Sequence, residues 1–107
     1  MSPKLEEIGD VVLMRMDGKT ALVKIKDVVD EQIQKGNKKI VVDLTAVSFL
    51  DSTGIGDLVA AYTLARKRGG DIKLVSDSKQ IDNVLDITRL SSVFEKFTTS
   101  EEAIKSF

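Results

Sequence analysis

The stretch Val47-Ser48-Phe49-Leu50-Asp51-Ser52-Thr53-Gly54-Ile55-Gly56-Asp57-Leu58-Val59 joins two patterns. An apolar run stops at Leu50, and a helical pattern begins at once. Asp51, Ser52 and Thr53 are ordinary helix starters, because their side-chain oxygens accept from the unpaired N–H groups of a first turn. Gly54 and Gly56 are not, since each costs about 1 kcal/mol relative to alanine in a helix interior. The start is therefore either a cap of odd composition or a bare surface that another molecule must approach closely.

Downstream of it, Ile55, Leu58, Val59, Tyr62 and Ala65 recur at helical spacing, which predicts a helix over 52–68 with that stripe inward. It ends in Arg66-Lys67-Arg68-Gly69-Gly70. Cations in a last turn complement the helix dipole, and Gly69 suits the left-handed position that closes a helix. Upstream, residues 39–44 form an apolar run after a basic start at Lys39, the mark of a strand buried on both faces in a parallel sheet. Residues 45–50 read as a connection with Val47, Phe49 and Leu50 turned inward.

Further out, residues 4–8 and 11–16 predict a hairpin turned at Gly9 and Asp10 and broken at 17–19. Leu22, Ile25, Val29 and Ile33 predict a helix from Thr20, its N-cap, to a stop at Gly36 and Asn37. The first half of that segment also alternates like a strand. Residues 71–76 predict a strand, and 78–90 a helix with Ile81, Val84 and Leu85 inward. Residues 93–97 predict a short strand, and 99–107 a short helix capped by Ser100. Strands alternating with helices after a hairpin predict one α/β domain over 1–107. Its sheet should be small and mixed, with four to five strands, right-handed crossovers and about four helices.

Composition narrows the chemistry. The chain has 107 residues, net charge −1, no cysteine and no histidine. Disulfides, thiolate metal sites and Ser-His-Asp catalysis are excluded. Balanced charge argues against nucleic acid or an anionic membrane as main partner. The acidic first ten residues do not resemble a signal peptide, and no apolar run approaches the roughly 20 residues that cross a bilayer. The expectation is a cytoplasmic protein.

Gly54-Ile55-Gly56 lacks the third glycine and the turn position of a dinucleotide-binding loop, and no Walker motif is present. Asp43 reads as a strand-end turn residue rather than a phosphate acceptor, because the acidic pair of a magnesium site is missing. Asp51 and Asp57 need not converge, so no metal is expected, and no cofactor either. Ser52 has no histidine to activate it as a nucleophile. The chain is therefore not expected to be an enzyme. Ser52 can instead be a substrate: at a helix start a phosphate meets unpaired N–H groups and a favourable dipole, although Asp51 and Asp57 oppose its charge. Capping alone is the other reading of Ser52.

Val41 to Val59, Val-Val-Asp-Leu-Thr-Ala-Val-Ser-Phe-Leu-Asp-Ser-Thr-Gly-Ile-Gly-Asp-Leu-Val, resembles the signature of the STAS domain found in bacterial anti-sigma factor antagonists. Residues 65–76 and 84–104 resemble its glycine-pair approach to a strand and its C-terminal helices. The resemblance implies a STAS fold and a partner-switching protein active in transcription regulation. Its expected partners are an anti-sigma serine kinase of GHKL type and a metal-dependent serine phosphatase, and its expected state a monomer or weak dimer. It implies phosphorylation at Ser52, with Thr53 the weaker acceptor, and a partner surface of Asp51, Ser52, Thr53, Gly54, Ile55 and Asp57. The alternative is a STAS scaffold never phosphorylated at Ser52. The segment after Gly18 is a few residues shorter than the family pattern.

Overall fold

The computed structural model describes residues 3–19 and 24–107, the side chains of 18 and 19 excepted. The element order is β1 (Lys4–Ile8), β2 (Val11–Lys19), α1 (Ile25–Gln34), β3 (Lys39–Phe49), α2 (Ser52–Lys67), β4 (Asp71–Val75), α3 (Lys79–Ile87), a 3-10 turn (Leu90–Ser92), β5 (Lys96–Phe97) and α4 (Ser100–Lys105). The five strands lie in the sheet in chain order, β1-β2-β3-β4-β5. The β1–β2 pair is the antiparallel hairpin, turned at Gly9 with φ 63°. The other three pairs are parallel. The α/β mixed sheet with four helices is the expected architecture.

Alternation along the strands sorts two cores. Met14, Met16, Ile40, Val42, Leu44, Ile72 and Leu74 face α1, α2 and α3 and form the larger cluster with Val29, Leu58, Ala61, Ile81 and Leu85. Val11, Leu13, Val41 and Val75 face the other way and pack on Ala103 of α4. The middle strands thus bury apolar side chains on both faces, as the run at 39–44 led one to expect.

Several boundaries differ from the sequence pattern. Residues 17–19 do not break β2; they continue it, with register shifts between Arg15 and Asp17 and between Gly18 and Lys19. Residues 45–49 are not a connection but the second half of β3, paired there with β2 alone. Val47 and Leu50 are buried as expected, whereas Phe49 is 44% exposed. The helix α1 starts at Ile25, not at Thr20; Thr20 and Leu22 lie outside the described residues. The α3 helix ends at Ile87 rather than residue 90, stopped by Arg89 in the left-handed region at φ 62°. The last strand is confined to Lys96 and Phe97, and α4 is capped by Thr99 instead of Ser100.

Candidate functional site

The parallel strand β3 ends at Phe49 and hands the chain to α2 within two residues. Leu50 is buried, which anchors the turn. Asp51 adopts extended backbone at φ −96° and ψ −178°, and its carboxylate accepts from the Gly54 N–H at 2.8 Å. Asp51 is therefore the N-cap, and Ser52 is the first helical residue. This corrects the capping reading of Ser52, whose hydroxyl has no hydrogen-bond partner among the described residues. Ser52 and Thr53 are exposed, and α2 has no acidic residue in its first turn beyond the cap.

The buried face of α2 runs through Gly54, Leu58, Ala61 and Ala65. Ile55 and Tyr62 pack partly against it, Tyr62 edge-on to Phe94 at 4.7 Å between ring centroids. The inward stripe is thus rotated from the expected one, and Val59 lies outside it, 39% exposed. Spacings of four and three then place Ser52, Gly56 and Val59 on one outward stripe. A Cβ on Gly56 would meet nothing within 4 Å. Gly56 therefore leaves bare space beside Ser52, while Gly54 is buried and turned inward. Phe49, at the end of β3, and Val59, on the same stripe, add exposed apolar surface, a feature hidden in the sequence because both residues fit an inward pattern.

Asp57 has an inward duty. Its carboxylate accepts from the backbone N–H of Ile25 and, at 3.0 Å, from that of Lys26. Lys24, the N-cap position of α1, offers no side-chain cap. Asp57 fills that role from 31 and 32 residues away and ties α1 to α2. Of the residues assigned to the surface, the structure brings Asp51, Ser52 and Thr53 to the start of α2, turns Gly54 inward, packs Ile55 partly against the core and engages Asp57 with α1; Gly56, which was not among them, is exposed. Asp43 lies inside β3 rather than at its end, which corrects the turn reading; it is buried, and its carboxylate accepts from the Thr45 N–H at 2.9 Å. Among the described residues no group of three acidic side chains could hold a metal.

A five-stranded mixed sheet that presents an exposed serine on the first turn of a helix defines a small α/β domain. The chain belongs to the STAS domain family, whose model matches residues 2–103. It is 34% identical to the anti-sigma-B factor antagonist of Bacillus subtilis over 58% of this chain and 57% of that protein. It is 32% identical to the anti-sigma-B factor antagonist of Listeria monocytogenes over 84% of this chain and 78% of that protein. The crystal structure of the Thermotoga maritima protein tm1081 matches with a TM-score of 0.87 and 28% identity, covering 97% of this chain and 92% of that one. SpoIIAA shares the fold in its unphosphorylated form, with a TM-score of 0.74, 21% identity, and 98% and 96% of the two chains covered. Its phosphorylated form, from Bacillus, matches with a TM-score of 0.73, 22% identity and 98% coverage of both chains.

Proposed function

We propose that this protein is an anti-sigma factor antagonist, a non-enzymatic switch that binds an anti-sigma serine kinase and is released by phosphorylation of Ser52. The carrying observation is the division of labour at the start of α2. Asp51 takes the cap through Gly54, which leaves the Ser52 hydroxyl exposed and uncommitted. A kinase can reach such a hydroxyl without unwinding the helix. The names of the Bacillus and Listeria relatives support the class, and the phosphorylated form of SpoIIAA supports the chemistry for that protein.

Phosphate at Ser52 adds a charge of about −1.5 to −2 beside the Asp51 carboxylate, on a stripe whose other members are neutral. Removing a partner therefore requires no change of fold, only a charge placed on the surface it covers. Thr53 stands one helical position on, with its direction turned about 100° away. A GHKL-type kinase and a metal-dependent phosphatase would write and erase the mark, and the unmodified protein would act in the cytoplasm as a monomer or weak dimer.

The test uses the kinase with ATP or its non-hydrolysable analogue. Wild type and Ser52→Ala should be retained by immobilised kinase, whereas Ser52→Asp should not. Mass spectrometry after incubation with ATP should place one phosphate on Ser52. Retention of the stoichiometrically phosphorylated protein would sink the proposal, and absence of any phosphopeptide would favour an unmodified STAS scaffold.

A further inference from the structure

The sheet has two outer edges. At one, β5 contributes two residues; at the other, β1 contributes five. Every residue of β1 is exposed, and among the described residues no strand lies beyond it. Leu5, a large apolar side chain, is left 44% exposed there.

Backbone geometry decides which groups that edge offers. The two-residue turn Gly9-Asp10 joins β1 to β2, so the flanking residues Ile8 and Val11 form a pair that exchanges both hydrogen bonds. Such pairs alternate along the ladder, so Glu6 with Leu13 and Lys4 with Arg15 are the next two. The N–H and C=O groups of Leu5 and Glu7 therefore point away from β2, to the open side. An unpaired row of this kind is a template for another strand.

The side chains select which strand. Lys4, Glu6 and Ile8 share the face of Val11 and Leu13, and Leu5 and Glu7 share the other. When two identical strands pair antiparallel, opposite side chains share a face, so the two-fold axis passes through one residue. An axis at Lys4, Glu6 or Glu7 sets two like charges directly opposite each other. An axis at Leu5 sets Leu5 against its own copy and Lys4 against Glu6 of the second copy, twice over. In that register the outward N–H and C=O of Leu5 meet their counterparts, giving two bonds. The Glu7 N–H meets the Pro3 carbonyl of the second copy, giving one more on each side. Pro3, which has no N–H, ends the ladder there. Glu6 is not locked elsewhere: its contact with Arg15 is 3.7 Å long, with both side chains more than half exposed.

We propose that β1 pairs antiparallel with β1 of a second copy of this chain, joining the two sheets into one in a reversible two-fold dimer. Four backbone bonds and two exposed ion pairs make a small interface, so the Kd is on the order of 0.1–1 mM. Because β2 stands between β1 and β3, this surface is separate from the start of α2 and does not rest on the reading of Ser52.

Sedimentation equilibrium of the full chain, from about 0.02 to 2 mM at low salt, measures the association. Wild type should rise from monomer towards dimer mass, and the amides that shift with concentration in ¹⁵N spectra should centre on Leu5 and Glu7. Lys4→Glu and Glu6→Lys each place like charges across the axis, and each should raise the Kd at least about tenfold while spectra away from β1 stay native. Mixed in equal amounts, the two single variants should associate with each other about as tightly as wild type, since each supplies the charge the other lacks. The double variant Lys4→Glu/Glu6→Lys should recover the wild-type Kd. A wild type still monomeric at about 2 mM, a dimer indifferent to either charge reversal, or single variants that fail to associate when mixed would each overturn the proposal.

Discussion

The Asp57 carboxylate caps a helix it does not belong to, and its removal should cost more than any cap on the chain's own helices. It accepts two backbone N–H groups, those of Ile25 and Lys26, at the start of α1. Hydrogen bonds to a charged group are worth about 1.5–3 kcal/mol each, and a helix deprived of its cap loses about 1 kcal/mol. Ile25 is buried while Lys26 is exposed, so the first bond carries most of the effect and water replaces the second. Asp57→Ala should therefore destabilise the domain by about 2–3 kcal/mol, and Asp57→Asn, which keeps one acceptor but loses the charge, by about 1 kcal/mol. At roughly 2.1 cal/mol/K per residue, the alanine variant should melt about 10 °C lower. Urea denaturation measures the loss directly, with the m-value unchanged if only native contacts are removed. Hydrogen exchange adds location, since the amides of Ile25 and Lys26 should lose protection before those of α2. A loss below about 0.5 kcal/mol, or deprotection that begins in α2, would refute the idea that Asp57 is the cap of α1.

Gly56→Ala should raise stability by about 0.5–1 kcal/mol, because the added methyl meets nothing and glycine is a poor helix former, yet it should weaken kinase retention by filling space beside Ser52. Gly70→Ala should destabilise by about 1–3 kcal/mol in urea, because its Cβ would meet backbone oxygens of Lys38 and Ala65 that cannot turn away. The hydrogen bond and charge of Lys39 hold the Asp10 carboxyl below its ordinary value of 3.8. A carboxyl lowered on folding stabilises above its unfolded value and loses that contribution as pH falls through the folded one. The urea midpoint gap between wild type and Asp10→Asn should therefore be constant above about pH 5 and close below it. Ser52→Asp should melt within about 0.5 kcal/mol of wild type while losing its partner, which separates switching from unfolding.

The fold was legible where one stretch of chain settles one element. The apolar run Ile40-Val41-Val42 with Leu44 specified a strand covered on both faces, and the stop at Gly69 placed the end of α2 correctly to one residue. What escaped depended on distant partners. The start of α1 is set by Asp57, more than thirty positions away, so Thr20 looked like the better cap. The second half of β3 pairs on one side only, and its exposed Thr45 and Ala46 interrupt the apolar signal. The end of α3 falls at Arg89, a residue type that rarely adopts positive φ, so nothing marked the stop. At the site, the motif located the serine, but which oxygen capped the helix required the geometry. Asp51 and Ser52 are equally good caps on paper, and only the 2.8 Å bond to Gly54 decides between them.

The strands lie across the sheet in the order in which they occur along the chain. No strand has to be inserted between two that are already paired. During synthesis the N-terminal hairpin can form first, and each later strand can then join the open edge left by its predecessor as it leaves the ribosome. The last to join, β5, contributes two residues, so growth stops on a short edge that offers little template to another nascent chain.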